Sequence, residues 1–315
     1  MKESANQAGI DNCRLRLVLE PEAASVYCQA HCTLRTIRTG GKVKLEPFPV
    51  NHTYIVADLG GGTADIATHL VLTGGNLREL FRATGGALGG TEVNKKFILF
   101  LEEVFGSDII KLFRTTYRSQ YMDLLRDFES KKKRVTVNTD KPMRLKWPTG
   151  LTDIIKQEHR KTPAEYVKER NHEKLIIFKR DKFQIISGVA DYFFKQISDD
   201  IVAKIVEILQ TQSYAIDSLL VVGGFADSLY LREKIKQAIF KQSPGIDIVK
   251  PEEADLHVLK GAVLTTIRRM AISERISPFV YGLRSSEPFD EKAPSQMKRN
   301  PCIRLILFRY FQEMH

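Results

Sequence analysis

At 315 residues, 43% of them hydrophobic and 27% charged, the chain has the composition of an ordinary soluble globular protein of about two domains. Its net charge of +10 comes from scattered basic residues with no interleaved aromatic patch, which argues against a nucleic-acid partner. No apolar stretch is long enough to span a bilayer, and residues 1–7 lack the apolar core of a signal peptide, so a cytoplasmic protein without a membrane partner is expected.

In chain order, residues 3–9 read as the end of a helix closed by Gly9, and residues 15–19 as a short buried strand. Residues 20–27 start a helix with an early proline and small residues on the packed side. Because the pattern opens on the end of a helix, the chain is expected to be a piece of something larger. Cys28 and Cys32 flank His31 like a metal half-site, but no second cluster completes it, and with Cys13 and Cys302 they are expected to be reduced thiols. Residues 36–50 read as a connecting loop, followed by a three-strand meander over 53–59, 63–72 and 77–83. A glycine-rich loop over 84–90 feeds a helix over 91–105, where Val93, Phe97, Leu101 and Val104 keep helical spacing. Residues 108–134 read as helical, Trp147-Pro148-Thr149-Gly150 as a break, and 152–174 as a charge-rich surface segment, helical or irregular. From Ser187 a long amphipathic helix carries Val189, Phe193, Phe194, Ile197, Ile201, Ile205, Ile208 and Leu209. A buried strand at 219–222, a third glycine loop at 223–228, a helix over 229–240, a strand at 246–249 and a helix over 255–270 complete the pattern. Gly261 and Ala262 allow close packing of that last helix, whereas 276–315 have little pattern. The sum is an α/β arrangement whose glycine-rich turns converge where ligands of such sheets collect.

The most informative stretch is Asp58-Leu59-Gly60-Gly61-Gly62-Thr63-Ala64-Asp65, with apolar strands on either side. Glycines let backbone N–H groups approach phosphate oxygens, and carboxylates suit a hydrated Mg²⁺. On its own the stretch also reads as a plain hairpin with surface aspartates. It matches neither a P-loop nor a dinucleotide-binding fingerprint.

Five segments in order resolve that choice. Leu19-Glu20-Pro21-Glu22-Ala23-Ala24, the 58–65 stretch, Leu88-Gly89-Gly90-Thr91-Glu92, Leu220-Val221-Val222-Gly223-Gly224 and the helix from Asp255 resemble the motifs of the seventy-kilodalton heat-shock proteins, in their divergent "protein 12" branch within the actin-like ATPase superfamily. The resemblance covers roughly residues 1–272. It implies an actin-like, ribonuclease-H-like α/β fold, with residues 1–50 a remnant of a first lobe and connector. Residues 51–275 would be the second lobe, with 91–183 as its inserted subdomain, and 276–315 a C-terminal extension. It also implies ATP or ADP with Mg²⁺ as cofactor. Asp58 would position Mg²⁺ or the attacking water, Asp65 would order the water shell, and Glu20 would sit by the metal. Gly60, Gly61, Gly62 and Thr63 would cradle the β- and γ-phosphates, with Gly89 and Gly90 against phosphates or ribose. Gly223, Gly224 and Asp255 would belong to the adenosine side. Glu129, Lys132, Lys133 and Thr136 resemble an adenosine-contacting segment, and their i, i+3, i+4, i+7 spacing puts them on one helical face; the same four residues also read as a solvated basic helix end.

The chain departs from the family in three places. It has no first phosphate hairpin or catalytic lysine upstream of Asp58, so hydrolysis is expected to be weak or absent. After Gly224 the family has a hydroxyl and an arginine, whereas this chain has Phe225, Ala226 and Asp227; Phe225 either stacks on a base or joins the core. About forty residues follow Met270, too few for a peptide-binding sandwich and lid. The expectation is an ATP/ADP-binding module of heat-shock type. The alternatives are a nucleotide-free interaction protein and a fragment of a full-length chaperone-like ATPase. A sugar or acetate kinase on the same fold would need a base carboxylate and a first lobe, and neither is identified.

Overall fold

Residues 53–86 and 218–251 hold the apolar runs that build a central mixed sheet, and that sheet positions everything else. The computed structural model describes residues 1–31, 34–36, 42–43, 48–137, 141–251, 256–267 and 272–276. The elements are α1 (Lys2–Gln7), α2 (Glu20–His31), β1 (Leu34–Thr36), β2 (Lys42–Val43), β3 (Thr53–Leu59), β4 (Ala64–Val71), β5 (Leu77–Gly86), α3 (Gly90–Phe105), α4 (Ser107–Thr116) and α5 (Arg118–Lys132). They continue with β6 (Met143–Lys146), α6 (Thr149–His159), α7 (Pro163–Glu169), β7 (Ile176–Lys179), β8 (Lys182–Ile185), α8 (Ser187–Thr211), β9 (Ser218–Val222), α9 (Leu229–Gln242), β10 (Asp247–Pro251), α10 (His257–Ile267) and β11 (Ile272–Glu274). The eight-stranded sheet has the order β11-β5-β4-β3-β9-β10-β1-β2. β3, β4 and β5 form an antiparallel meander, while β9 and β10 run parallel to β3.

β3 is buried along its whole length because it is central, with β4 on one side and β9 on the other. Its side chains alternate between faces, as strand geometry requires. Ile55, Ala57 and Leu59 join a large core with α3, α8 and α9, whereas Tyr54 and Val56 join a second core with Ala24 and Cys28 of α2. The larger core continues into a helical region closed by the sheet β6-β8-β7, through stacked Phe97 and Phe128 and the edge of Phe193. On the second face, α10 crosses α2 so closely that a Cβ on Gly261 would lie 1.7 Å from the Ala23 carbonyl oxygen. Arg275, just after β11, returns to make a two-pronged ion pair with the buried carboxylate of Glu22 in α2, at 2.7 and 2.6 Å.

The fold is the expected α/β class, with several local corrections. Residues 15–19 are not a buried strand: no described strand offers them an edge, and Leu17 and Leu19 stay about half exposed. The region read as one loop over 36–50 follows β1, which pairs with β10, and contains β2. β5 runs to Gly86, since Gly85 and Gly86 still pair with Asp65 and Ala64. The helix over 108–134 is two helices, broken at Tyr117 (φ −117°, ψ 49°). Trp147-Pro148-Thr149-Gly150 is no simple break, because Pro148 is the N-cap of α6. Residues 152–174 are not merely surface: α6 and α7 bury Ile154, Ile155, Tyr166 and Val167. Asp255, Cys32 and Cys302, and all of 277–315, lie outside the described residues.

Candidate functional site

The β3–β4 hairpin sets Asp58 directly opposite Asp65. Cross-strand partners share a face with their Cβ atoms about 5 Å apart, and two like charges there repel. Both aspartates fall on the α2 side of the sheet, with Tyr54, Val56 and Ala67. The turn between them closes with Gly60 N–H donating to the Thr63 carbonyl at 2.9 Å, and the Thr63 hydroxyl donates to Asp65 Oδ2 at 3.0 Å. Asp58 is only 3% exposed, and its Oδ2 has no hydrogen-bond partner among the described residues. Burial first, then the charges of Glu20 and Asp65, push its carboxyl up to about 7. Glu20, the first residue of α2, is itself exposed. Gly223 brings the third glycine loop onto the same spot: its φ is +87°, and a Cβ there would lie 2.6 Å from Asp58 Oδ1 and 2.5 Å from the Leu59 carbonyl oxygen.

The second glycine loop orients the first. Gly90 N–H donates to the Gly60 carbonyl (3.1 Å), Thr91 N–H to Gly61 (2.8 Å) and Gly89 N–H to Gly62 (3.3 Å). Those amides are helix-start donors of α3 that need acceptors from elsewhere. In a planar trans peptide the C=O and the following N–H point in opposite directions. With three successive carbonyls turned to α3, the N–H groups of Gly61, Gly62 and Thr63 therefore face away from it, side by side. They have no backbone acceptor among the described residues, and a Cβ on Gly61 or Gly62 would meet nothing within 4 Å. Consecutive N–H groups turned one way form an anion nest. Gly89 is fixed in this role, since a Cβ there would fall 2.3 Å from the Gly61 oxygen. So Gly89 and Gly90 shape the cradle and have their own amides engaged.

These donors fit a Mg²⁺-polyphosphate. Asp58 offers a buried oxygen lacking a partner, beside two further carboxylates whose mutual repulsion a divalent cation relieves. Among the described residues no three His, Cys, Asp or Glu side chains converge to bind a metal outright. Mg²⁺ takes few protein ligands, keeping waters and phosphate oxygens in its shell.

Further out, the structure places Lys132 differently from a purine-covering side chain. It is 5% exposed, and its ammonium donates to the Gly90 carbonyl (2.9 Å) and Asn94 Oδ1 (2.9 Å) and pairs with Glu129 (2.7 Å). Burial lowers its pKa, with Glu129 pulling it back. Glu129 also accepts from Asn94 at 2.9 Å. The three side chains pin the end of α5 to the start of α3. Phe225 is core, packed against Gly90, which resolves the two readings of that residue. Asp227 pairs with Lys250 at 2.8 Å and Lys133 at 3.8 Å. Thr136 is exposed just beyond α5, and Gly224 opens the short turn that carries Phe225. Sequence reasoning missed Asn94 and Lys250; neither stands in a recognisable motif, and both matter only through contacts with distant segments.

An α/β sheet with phosphate-type glycine turns converging on a buried aspartate at a strand end is the architecture of the actin-like ATPases. No family model matches the chain. Human heat shock 70 kDa protein 12A is 26% identical over 328 aligned residues, covering 90% of this chain and 48% of that protein. The mouse 12A protein aligns to the same extent, and human heat shock 70 kDa protein 12B is 27% identical over 330, again covering 90% and 48%. The chain is a divergent relative of these 12-type seventy-kilodalton heat-shock proteins and spans about half of their length. Among the described residues no helix is long and apolar enough to cross a membrane.

Proposed function

We propose that this chain is a heat-shock-type module that binds ATP or ADP with Mg²⁺ and hydrolyses ATP weakly or not at all. The observation that carries it is the nest of three outward amides beside the buried, unpartnered Asp58 oxygen. Gly61, Gly62 and Thr63 would hold phosphate oxygens through their N–H groups. Asp58 would ligate the metal, with Asp65 and Glu20 holding its waters. Bound Mg²⁺ would supply charge neutralisation for the phosphates. Phosphoryl transfer depends on positioned charge around the whole transferring group, and one lost contact of this kind costs about 3–4 kcal/mol of transition-state stabilisation. In this reading residues 51–275 act as the second lobe with 91–183 inserted, and the protein works in the cytoplasm.

A second reading, a nucleotide-free interaction protein, draws on the ion pairs of Lys132 and Asp227, which occupy the expected adenosine side with side chains of the chain itself. Titration calorimetry with Mg²⁺-ATP and Mg²⁺-ADP separates the two. Saturable heat that disappears in Asp58→Ala supports the module. A folded sample giving no heat at millimolar nucleotide leaves the interaction protein.

A further inference from the structure

The site's two ends differ in how much room they leave. Beside the phosphate nest the surface is open at Gly61 and Gly62. At Gly90, whose N–H is bonded to the Gly60 carbonyl, the walls meet: a Cβ there would lie 3.2 Å from the Phe225 ring and 3.5 Å from Lys132 Nζ. Beyond that, the turn carrying Asp227 is tied to the end of α5 twice. Leu229 N–H donates to the Lys133 carbonyl at 3.3 Å, and Lys133 Nζ lies 3.8 Å from Asp227 Oδ2. A flat ring held between two walls needs about 3.5 Å on each face, hence a gap of about 7 Å. The Lys133–Asp227 pair, 3.8 Å apart, bridges this gap, so a ring enters only when the pair opens. The polar groups here are also engaged: Lys132 with three acceptors, Glu129 with Lys132 and Asn94, Asp227 with Lys133 and Lys250. Phe225, which has the aromatic face a base would stack on, is buried in the core.

We infer that this site recognises the metal-polyphosphate end of its ligand and is nearly indifferent to the base, with Asp227 as the residue that keeps the base out. The inference rests on the polyphosphate reading above and sharpens its ligand class: Mg²⁺ complexes of ATP, GTP and inorganic tripolyphosphate bind alike. The Lys133–Asp227 pair is about half exposed on both sides, so it is a weak latch. Opening it gives a base access without disturbing the nest.

Calorimetry on the full chain with the three Mg²⁺ complexes tests this. The expected dissociation constants agree within about threefold, a difference smaller than one good base contact confers. Asp227→Ala should tighten ATP and GTP by about two- to fivefold relative to tripolyphosphate, the range an exposed ion pair allows. Lys133→Ala opens the same gap from the α5 side and should move the ratio in the same direction, so the test survives if one variant folds poorly. Wild-type protein preferring ATP to tripolyphosphate by more than about tenfold overturns the inference, as does an unchanged ratio in both variants. If none of the three complexes binds folded wild-type protein, the underlying polyphosphate reading fails and takes this one with it.

Discussion

Replacing Asp58 with asparagine should make the ligand-free protein more stable while destroying its metal-dependent behaviour. The carboxyl is nearly fully buried, has one oxygen without a partner, and faces Glu20 and Asp65; together these push it to about 7 from an ordinary 3.8. A carboxyl raised in the folded state stabilises fully below 3.8, and that contribution fades as pH rises through about 7. At about 1.4 kcal/mol per pH unit, the gap corresponds to about 4 kcal/mol by pH 8. Asparagine keeps the shape and removes the charge. Urea unfolding in EDTA at pH 8 should therefore show Asp58→Asn more stable than wild type by a few kcal/mol, with the difference vanishing near pH 4. Mg²⁺ with tripolyphosphate should raise the wild-type midpoint and leave the variant's unchanged. A variant no more stable than wild type at pH 8, together with a flat wild-type stability profile from pH 5 to 8, would refute the electrostatic reasoning.

Three further outcomes follow from particular contacts. Gly89→Ala places a Cβ 2.3 Å from the Gly61 oxygen, so it should cost about 1–3 kcal/mol in denaturant unfolding and weaken tripolyphosphate binding. Lys132→Met removes an ammonium from three acceptors and should cost about 2–3 kcal/mol, while Lys131→Met, which breaks only a surface i,i+4 pair with Asp127, should cost less than about 1. His69 is buried, bonded through Nδ1 to the Ser25 hydroxyl, and burial lowers its pKa to about 4. Its stabilising contribution is present above 6.5 and is lost as pH falls toward 4, so acid unfolding of His69→Leu, followed by circular dichroism, should have a shallower limb in that window.

The hairpin of the site was legible because its spacing carries the geometry. An apolar run, a four-residue turn and a second apolar run force Asp58 opposite Asp65 and put both on one face. The orientation of the nest was not legible, because it depends on carbonyls of residues 60–62 finding amides of 89–91 across space. The spacing of Glu129, Lys132, Lys133 and Thr136 correctly predicted a shared helical side as far as Lys132, but not what lies against it. Asn94 and Asp227 come from other elements and give Lys132 and Lys133 partners within the chain, one buried and one at the surface. β6, β7 and β8 escaped notice because each has only four residues, with basic side chains at several positions. The turn between β7 and β8 is also made by Arg180 at φ 53° in place of the usual glycine or asparagine. Residues 15–19 show the converse: an apolar run specifies burial only where a neighbouring edge exists.

The clamp on α2 has a consequence for the order in which the molecule comes into being. Glu22 waits for Arg275, 253 positions later, and Ala23 for the close approach of Gly261. A nascent chain leaving the ribosome exposes both aspartates and all three cradle glycines long before either arrives. The hairpin emerges early and can seat the helix bearing Glu20 through Ala24 and Cys28, but the last ties on that helix form only when synthesis has passed residue 275, so the acidic pocket gains its final support late.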